Sequence, residues 1–182
     1  MNNDKERTSF LLRQFNSSTP KRYTTKALPS YRHIPGTTPH PVADINGHSF
    51  NRSKEITVRV SENNWKSNEF YLYAIDLFNS RFFWEAHEAL EDLWRLEPNS
   101  ILKNFLQGLI QLSAAYLKWL QGISEGQKKL SFKAFEKLLK VKDSKTTFCG
   151  IDLLMFIDKN REFLDISIVK NSLPPVIDLI EN

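Results

Sequence analysis

From Asn79 to Arg95 the chain reads Asn-Ser-Arg-Phe-Phe-Trp-Glu-Ala-His-Glu-Ala-Leu-Glu-Asp-Leu-Trp-Arg, and Pro98 follows closely. At about 100° per residue, Phe83, Ala86, Leu90 and Leu93 form one apolar stripe with Trp94 at its edge, the signature of an amphipathic helix. His87, Glu91, Trp84, Arg95 and Glu88 fan out along one border of that stripe, where a group can be partly buried yet reachable. Pro98 stops the helix, and Asn99 or Ser100 caps a second one, Ile101 to Leu120. So short a turn folds the two back as an antiparallel pair. The second helix is apolar over most of its circumference, through Leu102, Phe105, Leu106, Leu109, Ile110, Leu112, Leu117, Trp119 and Leu120, which predicts the central, most buried element. Its polar stripe holds Lys103, Gln107, Gln111, Lys118 and Gln121. Gly108 and Ala115 lie beside that stripe, where another backbone can come close.

The flanking segments extend this helical pattern. Ser67 or Asn68 caps a helix through Phe70, Tyr71, Ala74, Ile75, Leu77 and Phe78. Past Gly122, Ser124 with Gln127 resembles a capping box for a basic amphipathic helix, Glu125 to Lys142, buried through Leu130, Phe132, Phe135, Leu138 and Leu139. A last helix is expected from Phe148 to Asn160. Ile56, Val58 and Val60 alternate with Glu55, Thr57 and Arg59 in a short strand or extended segment that lacks an evident partner. The tail, Leu173-Pro-Pro-Val-Ile-Asp-Leu-Ile, is stiff, extended and apolar, suited to a groove of the bundle. The expected fold is all-α: an irregular bundle of about five helices wrapped by extended, proline-rich N- and C-terminal segments.

With 182 residues and 41% hydrophobic content, the chain can build one sizeable core and needs no second domain. Two units are expected, a flexible basic arm over residues 1–30 and one helical domain over residues 31–182. The formal charge of +4 is uneven: residues 1–33 carry seven Lys or Arg against two acidic residues, and the rest of the chain is about neutral. The arm's charges are dispersed and lack interleaved aromatics, which argues against nucleic acid as its partner. No apolar h-region follows Met1, and Asp4 and Glu6 sit poorly in a transit peptide. No apolar run approaches the roughly 20 residues that span a bilayer, and the single cysteine, Cys149, excludes an intramolecular disulfide. A reducing, cytoplasmic setting is the default. Residues 31–50 differ in kind, because three prolines fix φ while Gly36 and Gly47 permit turns. This stiff loop holds His33, His40 and His48, three of the four histidines.

The run from Phe78 to Arg95, followed by Phe-Leu-Gln-Gly-Leu-Ile-Gln-Leu-Ser-Ala-Ala-Tyr-Leu-Lys at residues 105–118, resembles the DUF309 family of bacterial and plastid proteins. The Pro-Gly-Thr-Thr-Pro-His-Pro and Gly-His-Ser elements at residues 35–49 and the Pro-Pro tail resemble those of its longer members. The resemblance covers roughly residues 29–180 and implies a small all-helical fold, with the plastid stroma as the compartment in a photosynthetic eukaryote. One departure is Leu90, where many members have a tryptophan. The resemblance implies no activity, cofactor or ligand.

Candidate chemistry is therefore read from the motif itself. His87 and Glu91 stand one helical turn apart on one face with Glu88 beside them, a zincin-like spacing with Glu in place of the second His. As a metal site, His87 and Glu91 would be ligands, His40 or His48 would complete the shell, and Glu88 would be the catalytic base for a bound water. As a non-metal pocket, Trp84, Gln107, Gln111 and Lys118 would line a polar small-molecule site on the same face. The competing reading has no catalysis: His87 bonds a neighbour, Glu91 pairs with Arg95 at i+4, and the chain is a structural or protein-interaction module, with self-association open to it.

Overall fold

Asn68 accepts the Tyr71 N–H through its side chain and so starts α2, Glu69–Asn79. The computed structural model describes residues 2–53, 55–166 and 173–180. Three further expected helices follow: α3, Phe83–Arg95, α4, Ser100–Leu120, and α5, Ser124–Lys142. The Asn99 side chain accepts the Ile101 and Leu102 N–H groups and caps α4. As its sequence requires, α4 is the centre of the bundle: Leu102, Phe105, Leu106, Leu109, Leu112, Tyr116, Trp119 and Leu120 are buried, with α3 and α5 packed on it. Tyr116 stacks on Phe83 of α3 at 5.0 Å, which locks the antiparallel pair.

Gly108 sets how α5 lies on α4. A Cβ there would meet Leu138 Cγ at 2.7 Å and the Ala134 carbonyl oxygen at 3.3 Å, so the two helices touch through small groups. That contact turns Ser131, Ala134 and Leu138 inward and leaves Phe132, expected in the core, 71% exposed. The expected capping box is also absent, since Ile123 stands at the N-cap and buried Gln127 is turned to the Leu164 carbonyl.

Two other expectations are corrected. A hairpin of β1 (Thr147–Phe148) and β2 (Ile151–Asp152) replaces the start of the last helix, which becomes α6, Leu153–Ile166. Cys149 and Gly150 both take positive φ at its tip, the requirement of a two-residue hairpin turn. The larger correction concerns the basic arm. Residues Asn2–Ser17 form a helix, α1, whose Leu11 and Phe15 are buried in the common core. Arg7 and Thr8 donate to the terminal carbonyls of α4, Trp119 and Leu120, where the helix offers no further turn of amides. The spacing of Leu11 and Phe15 at i and i+4 supplies the packing surface that the polar composition of the arm conceals.

The remaining described residues, apart from a 3-10 turn at Trp65–Ser67, are non-helical and lie against this frame. The loop 31–50 and the tail 173–180 follow the bundle as their prolines suggest, whereas residues 55–60 pair with no strand among the described residues. Among the described residues, no helix is long and apolar enough to cross a membrane.

Candidate functional site

Five polar side chains of α2, α3 and the turns beside them, Asp76, Asn79, Arg81, Glu85 and Glu97, are buried, and each holds a piece of non-helical chain. Asp76 accepts the backbone N–H groups of Tyr23 (2.7 Å) and Thr24 (2.9 Å) and the Thr24 hydroxyl (2.7 Å), with Arg22 Nε at 3.0 Å. Asn79 grips the tail by two bonds, donating to the Ile177 carbonyl at 2.9 Å and accepting the Ile177 N–H at 2.7 Å. Arg81, at positive φ in the turn before α3, donates to the Pro174 carbonyl at 2.7 Å and to the Asn79 carbonyl. Burial without a carboxylate partner pushes its guanidinium down to about 10. Glu97, beyond the end of α3, takes the Arg59 guanidinium at 3.0 and 3.2 Å.

Glu85 performs the same task for the histidine loop. It stands in the first turn of α3, and one of its oxygens accepts the His33 N–H at 2.7 Å and meets His48 Nε2 at 3.1 Å. Its other oxygen is buried without a partner among the described residues. Burial pushes the Glu85 carboxyl up to about 7 and pushes the His48 and His33 imidazoles down, so both sides of the pair favour their neutral forms. A neutral His48 then donates from Nε2, while Nδ1 faces the Ser49 hydroxyl at 2.8 Å. An acid and an imidazole in direct contact could exchange a proton. Here both are sealed under the loop, at 5% and 6% side-chain exposure, so the pair is placed to respond to pH and not to meet a substrate.

The residues singled out in the sequence divide into separate groups. His87, Glu88 and Glu91 do come together on α3: His87 Nδ1 lies 3.4 Å from Glu88 and Nε2 lies 3.8 Å from Glu91. Glu91 is bonded to Arg95 at 2.6 Å as the helical spacing suggests. The carboxylates face opposite nitrogens of one ring, so the three groups do not converge on a single point. His48 is engaged by Glu85 instead of joining them. His40 packs edge-on against Trp84 and His33, at 5.4 and 5.3 Å between ring centroids, and its Nδ1 accepts the Val42 and Ala43 N–H groups. The expected shell of His87, Glu91, His40 and His48 is thus not assembled, and no group of three or more His, Cys, Asp or Glu among the described residues could hold a metal ion. Gln107, Gln111 and Lys118 are half-buried on α4; the Gln111 side-chain Oε1 has no partner among the described residues, and the Lys118 stem lies near Gly126. A cleft of about 340 Å³ lies elsewhere, lined by Tyr23, Trp65, Lys66, Leu72 and Leu179, and none of these is an expected site residue.

Asp76, Asn79, Arg81, Glu85 and Glu97 were not expected as anchoring residues. A signal existed for Glu85: its neighbour Trp84 also points away from the apolar stripe, and a tryptophan on a nominally wet face implies a cover.

These features define a class, a small helical protein whose buried polar side chains fasten its own loops and tail. A family model described as "Domain of unknown function (DUF309)" matches residues 71–130, from Tyr71 in α2 to Leu130 in α5, and this match supports the resemblance carried by the motif. No curated protein matches the chain.

Proposed function

We propose that this DUF309-like protein is a non-catalytic interaction module whose motif is a folding device. What supports this reading most is the engagement of the Asp76, Asn79 and Glu85 side chains by backbone of the chain's own non-helical segments. The groups left on the surface of α3, His87, Glu88, Glu91 and Arg95, form a strip of mixed charge suited to a polar protein partner. A reducing compartment, cytoplasm or plastid stroma, fits the single buried Cys149.

A second reading keeps these same residues as a site for a polar small molecule or divalent cation, with Trp84, Gln107, Gln111 and Lys118 nearby. Its support is the position of both His87 nitrogens beside carboxylates. Calorimetric titration of tag-free protein with zinc, repeated on His87→Gln and Glu91→Gln, separates the two. The interaction reading expects no saturable heat, and variants that change melting only slightly, because these half-buried side chains pair with neighbours on their own helix. Saturable binding that His87→Gln abolishes, with the fold intact, would establish the ligand site instead.

A further inference from the structure

The chain from Glu55 to Val60 carries an apolar row that leaves the core. Val60 is fully buried, Val58 is 56% exposed and Ile56 is 91% exposed, although all three are β-branched residues suited to a paired strand. Among the described residues, none of the backbone N–H groups of residues 55–60 has an acceptor. The Val58 carbonyl accepts from Asn68 and the Arg59 carbonyl from Asn68 and Asn64. The open part of the segment is therefore its amides, the Glu55 to Thr57 carbonyls and the exposed Ile56 and Val58, an edge of the kind through which sheets recruit another chain.

The sequence of this edge selects its partner. Laid antiparallel on a second copy about a two-fold axis at Thr57, Glu55 faces Arg59, Ile56 faces Val58 and Thr57 faces Thr57. Opposite charges, β-branched pairs and Thr pairs are all favourable neighbours across a strand pair. A parallel arrangement would set Glu55 beside Glu55 and Arg59 beside Arg59. The charged pair is available from both sides: Arg59 holds Glu97 through Nε and Nη2 only, and Glu55 meets Lys26 through one oxygen. We propose that residues 55–60 are a homodimer interface, in which each copy adds its strand to the other with Glu55 opposite Arg59. The contact is isologous and closes after two copies. It goes beyond the reading above, since a dimer formed here is compatible with either fate of the α3 surface.

Thiol cross-linking tests both the contact and its register. Residues facing each other in an antiparallel pair lie about 4.5 to 5.5 Å apart at Cα, within the span of a disulfide. Thr57→Cys should therefore form a reducible covalent dimer under mild oxidation. It should do so at least roughly tenfold faster than Ile45→Cys, an exposed control on the loop, because prior association raises the local thiol concentration. Cys149 is buried and common to both variants, so it cancels in the comparison. Adding Glu55→Arg sets arginine against Arg59 and should bring Thr57→Cys down to the control rate. Equal rates for Thr57→Cys and Ile45→Cys overturn the proposal, and so does fast cross-linking that Glu55→Arg leaves unchanged.

Discussion

Glu85 holds its proton in the folded chain at a pH where the unfolded chain has released it, since burial takes its carboxyl from an ordinary 4.5 to about 7. Between those values the folded state binds more protons than the unfolded state. The stability tied to this group is therefore fully present below about 4.5 and is lost as pH rises towards 7. His48 and His33 run the other way. Burial lowers both, so their contribution is present above the ordinary 6.5 and is lost as pH falls below it. Glu85→Gln removes the first dependence and leaves the second. Its stability relative to wild type should rise between about pH 5 and pH 8, by at most on the order of 3 kcal/mol, in urea melts at the two values. A difference between the two proteins that does not change with pH would contradict this account. The sequence hides this behaviour because a glutamate on the far side of an amphipathic helix reads as solvated. Its burial comes from His33 and His48, far upstream in the chain, and helical periodicity carries no information about that cover.

Among the helices, periodicity was a good guide wherever one face had one partner. The α3 and α4 pair, the cap at Asn99 and the close approach at Gly108 were all legible. Leu109, fully buried at the middle of α4, should cost roughly 2 to 5 kcal/mol when truncated to alanine, and a loss below about 1 kcal/mol in denaturant melts would remove α4 from its central place. The register of α5 was not legible, because Gly108 selects small residues for the contact and this outweighs the burial of Phe132. The N-terminal helix was missed for a related reason. Leu11 and Phe15 carry most of its packing, with Phe10 and Leu12 partly buried beside them, and composition dilutes these few residues among many polar ones. Removing residues 1–26 also removes the Arg7 contact with the end of α4 and the Tyr23 and Thr24 bonds to Asp76. The truncated protein should melt roughly 10 °C lower, given the apolar burial lost and the size of the domain. An unchanged melting temperature would show that α1 contributes nothing to the fold.

For the molecule as a whole, the prolines announced stiff extended segments at both ends of the chain but could not say where those segments rest. A proline fixes its own φ and leaves the distant partner open, so the landing points had to come from buried polar groups elsewhere. Those groups are Asp76, Asn79, Glu85 and Glu97, and together they turn a bundle with loose ends into one cooperative unit. The central claim, that the motif is a clamp for the chain's own segments, predicts a pattern in native-state amide hydrogen exchange. The His33 and Ile177 N–H groups belong to no helix or strand, yet their acceptors are the Glu85 carboxylate and the Asn79 side chain. Both amides should exchange almost as slowly as the core of α4, opening only when the bundle opens. If both exchange at the rate of an unstructured loop while α4 stays protected, the motif does not hold these segments and the account is wrong.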